Sequence, residues 1–155
     1  MIKVNFVCLG NICRSPMAEA VFRKLVKDEG LDDRIQVDSS GTSDWHIGKV
    51  PHEGTMKILQ ENRISTDGMF ARQYEAVDPD NFDYIVAMDA SNIENMLKVT
   101  NGIESTKAFR LLDLVESSSI KDVPDPYFTG DFEQTYDLVT QGCQALLGLI
   151  KKEKL

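Results

Sequence analysis

The chain has 155 residues, 42% hydrophobic and 27% charged, with a net charge of −8. That balance fits a single domain over residues 1–155, because a chain of this length buries roughly 70% of its extended surface, and it excludes disordered, collagen-like and disulfide-scaffold classes. A pI near 4.7 argues against nucleic acid and anionic membrane as partners, since both need a basic face.

No stretch approaches the run of about 18 apolar residues that spans a bilayer, and MIKVNFVCLGNICRS lacks the basic-then-apolar layout of a signal peptide, so a cytoplasmic location is expected. Three cysteines, an odd number, point to thiols kept for burial or reactivity and not to a disulfide framework.

Residues 3–8 (KVNFVC) form an apolar, β-branched run that predicts a buried strand. From Ser15 the period changes. Ser15 reads as an N-cap and Pro16 as the first helical residue, with Met17, Ala18, Val21, Phe22, Leu25 and Val26 on one face up to Gly30. A second strand over 35–39 (IQVDS) completes a βαβ unit with a right-handed crossover. Residues 41–51 (GTSDWHIGKVP) read as a loop carrying the only tryptophan, Trp45.

A helix is expected over 52–62, a third strand over 82–88 (FDYIVAM), a helix over 91–99 capped by Ser91 or Asp89, and a fourth strand over 108–114 (AFRLLDL). Residues 122–130 (DVPDPYFTG) hold two prolines and are expected to be irregular. In the closing helix Phe132, Tyr136, Val139, Cys143, Leu146, Leu147 and Ile150 share a face, and Lys151, Lys152 and Lys154 suit its C-terminus. The alternation predicts an α/β fold, a three-layer αβα sandwich around a central, mostly parallel four-stranded sheet, with ligands beyond the carboxyl ends of the strands.

The most informative stretch is Cys8-Leu9-Gly10-Asn11-Ile12-Cys13-Arg14-Ser15, a Cys-x5-Arg loop between a strand and a helix. A loop curling onto a helix N-terminus points successive N–H groups into one concavity, where the helix dipole adds positive potential, and so forms a phosphate-sized cradle. Gly10 is expected to take positive φ, with Asn11 the next residue suited to it. Arg14 would fork two oxygens of a bound anion. Cys8, at the mouth of the cradle, is favoured as thiolate and hence as nucleophile. The Ser15 hydroxyl either donates to that sulfur or caps the helix, and the spacing leaves both open.

The chain resembles the low-molecular-weight protein tyrosine phosphatases, on VCLGNICRSPMAEA at 7–20, VDSSGTSDW at 37–45, FDYIVAMDASN at 82–92 and DPYF at 125–128. The resemblance implies a flavodoxin-like, phosphotyrosine phosphatase I-type fold and a metal-free, cofactor-free reaction through a phosphocysteine. Cys8 would be the nucleophile, Arg14 the phosphate clamp and Asp125 the acid that protonates the leaving phenol and then activates water. Asp125 sits between Pro124 and Pro126, which stiffens its backbone; taken alone, Asp-Pro more often marks a turn.

Trp45 and Tyr127 would wall a cleft for the phenol ring, and Ile12 is the type matching tyrosine phosphatases, where relatives acting on phosphoarginine carry Thr. Asn11 and Ser39 match positions that hold the loop, and Cys13 would be a redox partner of Cys8. The His that commonly precedes x-Ala-Arg-Gln is Met69 here, and a second Tyr after Asp-Pro-Tyr is Phe128. With that brace absent, either Ser39 or a water holds the loop, or the loop is less rigid. Cys143 reads as core, and His46 and His52 as surface loop residues, with His46 a candidate at the cleft rim. The implied partners are phosphotyrosine proteins, with inorganic phosphate or vanadate as inhibitory anions, and a monomer is expected.

Four other readings share parts of this pattern. A protein arginine phosphatase would use the same loop, and an arsenate reductase would need a cysteine relay where only Cys143 is available. A cysteine phosphocarrier would not need Asp125, and a phosphopeptide-binding module could dispense with Cys8. Cys8, Arg14, Ser15 and Asp125 together favour hydrolysis.

Overall fold

The computed structural model describes residues 1–155. Four strands, β1 (Ile2–Cys8), β2 (Ile35–Gly41), β3 (Tyr84–Ala87) and β4 (Ala108–Arg110), form one sheet in the order β2-β1-β3-β4, all parallel. Six helices accompany them: α1 (Arg14–Asp28), α2 (Glu53–Glu61), α3 (Asp78–Asn81), α4 (Ala90–Val99), α5 (Pro126–Thr129) and α6 (Phe132–Lys154). No helix is long and apolar enough to cross a membrane.

Alternation along the strands sorts the core into two layers. Val4, Phe6 and Cys8 of β1 and Tyr84 and Val86 of β3 face α1 and α6, where Met17, Phe22, Leu146 and Ile150 complete the larger cluster. Val7, Ile85 and Ala87 point the other way, onto Met96 of α4. The connection after β1 adds β2 on one side, whereas β3 adds on the other, so the chain reverses direction across the sheet at the carboxyl ends of β1 and β3. Crevices for ligands form at such points, and β1 ends at Cys8.

Several local expectations change. The fourth strand is only Ala108–Arg110, and the rest of its apolar run becomes a 3-10 turn, Leu111–Leu114, that buries Leu111 and Leu112 under α6. Gly142 makes that contact possible, because a Cβ there would lie 2.3 Å from the Leu111 side chain. Residues 122–130 are not wholly irregular: Pro126 starts the single turn α5, where its missing N–H is harmless, and Gly130 ends it at φ 74°. α4 is capped by Asp89, whose side chain accepts from the Asn92 N–H.

Candidate active site

The loop between β1 and α1 is held from outside by its carbonyls. Those of Cys8, Leu9 and Ile12 accept from the N–H groups of Thr42, Ser43 and His52 at 2.7–2.9 Å, and that of Cys13 from the Thr55 hydroxyl at 3.1 Å. With the carbonyls turned out, the N–H groups turn in, and those of Leu9, Gly10, Ile12 and Cys13 donate to no protein acceptor. These inward N–H groups form the concavity expected of the spacing.

The glycine of the loop serves a different purpose from the one expected. Gly10 keeps negative φ, and Asn11 alone takes the left-handed conformation, at φ 56°. Gly10 lacks a side chain because His46 packs on it, with an added Cβ falling 3.0 Å from His46 Cδ2. Gly41 is tighter still, since a Cβ there would sit 2.9 Å from Asn11 N and Leu9 O.

Cys8 is 2% exposed, and its Sγ accepts from the Asn11 N–H at 3.3 Å and lies 3.0 Å from Ser15 Oγ. Ser15 is not the N-cap. Helix α1 begins at Arg14, its N-cap position is Cys13 with no side-chain bond, and Pro16 is the third helical residue. The Ser15 hydroxyl is therefore free to face the sulfur. Cys13 is a free, buried thiol in the same loop, pushed up to about 12 by burial first and by the charges of Asp125 and Cys8 next. Cys143 is fully buried under α1, as expected of core.

Arg14 is 2% exposed. Its Nη1 donates to Asp89 at 2.6 Å and to the Val123 carbonyl at 3.0 Å, its Nη2 reaches Asp125 at 3.3 Å, and its Nε is buried with no partner. Burial works against its charge, but Cys8, Asp89 and Asp125 outweigh it and raise the guanidinium above its ordinary value. Burial likewise pushes Asp89 up, yet the Arg14 bond and charge, with the Asn92 N–H and Ser91 hydroxyl, hold it below the usual carboxylate range. Asp89 thus aims Arg14 while capping α4. Sequence reasoning placed it only at a helix start, although the stretch FDYIVAMDASN contains it.

Asp125 stands opposite. Its Oδ1 accepts from Tyr127 N at 3.1 Å, which caps α5, and its Oδ2 faces Arg14. Cys8, Leu9, Gly10, Ile12, Cys13, Trp45, His46, Asp125, Tyr127 and Phe128 line one cleft of about 240 Å³. Its upper walls are aromatic, with Tyr127 edge-on to Phe128 at 5.3 Å. His52 is not a free surface residue as expected: its Nδ1 accepts from Gly54 N, and its ring stacks on Phe132 at 5.2 Å and meets Tyr127 edge-on at 6.0 Å.

Below the cradle, Asn11 Nδ2 donates to Ser15 Oγ at 2.8 Å and to Ser39 Oγ at 2.9 Å, while its Oδ1 accepts from Arg72 N at 3.0 Å. Met69 lies in the core and makes no side-chain hydrogen bond. Glu19, which sequence reasoning passed over, accepts from the Ser39 hydroxyl at 2.6 Å. An N–H cradle, a cysteine sulfur at its base and a pinned arginine, set at the switch point of a parallel sheet, together form a candidate anion-binding site that a thiol faces.

The family model described as low molecular weight phosphotyrosine protein phosphatase matches residues 3–155. The low molecular weight protein-tyrosine-phosphatase YfkJ of Bacillus subtilis is 54% identical over 154 residues, covering 99% of each chain. PtpA of Staphylococcus aureus, named likewise, is 48% identical over 155 residues, 99% of this chain and 96% of its own. The crystal structure of B. subtilis YfkJ superposes with a TM-score of 0.98, covering 100% of this chain and 98% of that one. That of a drosophila arginine phosphatase superposes at 0.87, 33% identical, covering 99% and 100%. The chain belongs to the low-molecular-weight protein tyrosine phosphatase family.

Proposed function

We propose that this chain, as one domain over residues 1–155 acting in the cytoplasm as a monomer, hydrolyses phosphotyrosine in proteins through a phosphocysteine on Cys8. The observation that carries the reading is the convergence of Cys8, Arg14 and Asp125 on one aromatic-walled cleft. The Cys8 thiolate attacks phosphorus in line while the P–O bond to the phenol breaks, and the leaving oxygen takes a proton from Asp125. Asp125, now a carboxylate, removes a proton from a water that attacks the phosphocysteine, releasing inorganic phosphate and the thiolate. The loop amides and Arg14 stabilise the equatorial oxygens, so the chemistry needs no metal or cofactor. The Ser15 hydroxyl stabilises Cys8 both as attacking and as leaving thiolate.

Ile12 and the exposed rings of Trp45 and Tyr127 offer an apolar lining suited to a phenyl group, which favours phosphotyrosine over phosphoarginine. The fold does not separate the two, because the arginine phosphatase shares it. Cys13 is read as a resolving thiol: if peroxide oxidises Cys8 to a sulfenic acid, condensation with the Cys13 thiol gives a disulfide and water.

The test is metal-free hydrolysis of phosphotyrosine, phosphoserine and phosphoarginine peptides by wild type, Cys8→Ser and Asp125→Ala, with vanadate as inhibitor. Phosphotyrosine turnover that vanishes in Cys8→Ser supports the reading. Preferred phosphoarginine turnover, or transfer of phosphate to Cys8 without hydrolysis, overturns it.

A further inference from the structure

One buried charge takes no part in this chemistry. Glu19 lies on α1 four residues after Ser15 and four before Arg23, so the three form one polar stripe along the helix. It is 6% exposed. Its Oε1 takes the Ser39 hydroxyl, and its Oε2 is paired with Arg23, which is half exposed. Burial pushes its carboxyl up, against the opposing pull of Ser39 and Arg23.

We propose that Glu19 is a positioning residue that holds the hydrogen-bond network reaching Cys8, by fixing Ser39 as an acceptor for Asn11. The proposal rests on Cys8 being the nucleophile, as above. The network has two fixed ends. The Arg72 N–H can only donate, so it requires Asn11 Oδ1 and turns Asn11 Nδ2 toward the serines. The Glu19 carboxylate can only accept, so it takes the single Ser39 proton and leaves Ser39 Oγ to accept from Asn11. Both Nδ2 hydrogens are then committed, one to Ser39 and one to Ser15. Ser15 Oγ, already accepting, keeps its own proton for Cys8 Sγ at 3.0 Å or the Ser40 carbonyl at 3.3 Å. With Met69 contributing no hydrogen bond, Glu19 anchors this relay directly on Ser39.

Glu19→Gln keeps the shape and breaks the logic. Arg23 and Ser39 both need an acceptor, and an amide has only one, so its NH2 group faces one of two donors. The experiment compares wild type, Glu19→Gln, Ser39→Ala and the double variant. It measures kcat and KM on a phosphotyrosine peptide, the iodoacetamide alkylation rate of Cys8 at one near-neutral pH, and thermal unfolding. Cys8→Ser serves as the alkylation blank. Glu19→Gln is expected to lower kcat and the alkylation rate together, each by about tenfold, with KM within roughly twofold, and the double variant to lose no more than the worse single one.

Wild-type alkylation and kcat in Glu19→Gln, or losses that multiply in the double variant, would overturn the proposal and leave Glu19 a strut between α1 and β2. Should Glu19→Gln unfold, Ser39→Ala supplies the comparison, since it removes the hydroxyl through which Glu19 reaches Asn11, and wild-type alkylation in that variant would overturn the proposal. Alkylation reads the relay without substrate, so a failure of phosphotyrosine hydrolysis bears on the proposed function alone.

Discussion

On the floor of the cleft Cys8, Asn11, Arg14, Ser15 and Ser39 are each at most 5% exposed and tied by hydrogen bonds to one another and to Asp89, whereas Trp45, Tyr127 and Phe128 on the rim are 65%, 54% and 74% exposed. The side chains of Asn11, Arg14 and Ser39 on the floor each have their direction set by a partner on another element, which pre-organises the cradle for an anion. On the rim Tyr127 meets His46, His52 and Phe128 ring to ring at 5.3–6.4 Å, so the rim can meet a substrate ring at small cost to the fold. Floor variants should therefore strike kcat or folding, and rim variants KM.

The largest effects belong to the reacting groups. Cys8→Ser is expected to abolish turnover, and Asp125→Ala to lower kcat by about two to four orders of magnitude with phosphate affinity retained, checked by steady-state kinetics and vanadate titration. Next comes the packing beneath them. Gly41→Ala forces a methyl group against Asn11 N and Leu9 O, and should destabilise the fold by about 1–3 kcal/mol in denaturant unfolding while also depressing kcat.

On the rim, Trp45→Ala and Tyr127→Ala should each raise KM for phosphotyrosine peptides by up to about tenfold, with unfolding shifted by less than about 0.5 kcal/mol. Equal damage to kcat and stability at rim and floor would erase the contrast.

The smallest effect is confined to acid. Because Arg14 holds the Asp89 carboxyl below its usual range, that pair adds stability that is present above the unfolded Asp value of about 3.9 and is lost as pH falls through the lower folded value. Unfolding midpoints of wild type should thus drop below about pH 4 more steeply than those of Asp89→Asn, whose curve lacks that contribution.

Much of the floor was legible because its residues are consecutive. A cysteine at a strand end, six positions before an arginine at a helix start, already implies inward N–H groups. The rest depends on chain-distant neighbours. Gly10 and Asn11 both look needed as sources of positive φ until His46 and Gly41 are seen to press on the loop. Ser15 could equally be a cap until the helix is seen to begin two residues earlier. Histidines beside the cleft cannot be told from surface ones by type, and His52 is held by Tyr127 and Phe132, 75 and 80 residues on.

The sequence by itself determined the alternation of strands and helices, the Cys8-to-Arg14 cradle and the Asp125 turn, because hydrophobic period and short-range spacing are local properties of the chain. Only the tertiary structure decided that all four strands run parallel and that Asp89 steers Arg14 across 75 residues. It alone set Glu19 on Ser39 across 20 residues and Arg72 on Asn11 across 61. Those pairings arise where parallel crossovers return distant segments to the same end of the sheet, and no periodicity in the chain records which side chains will meet there.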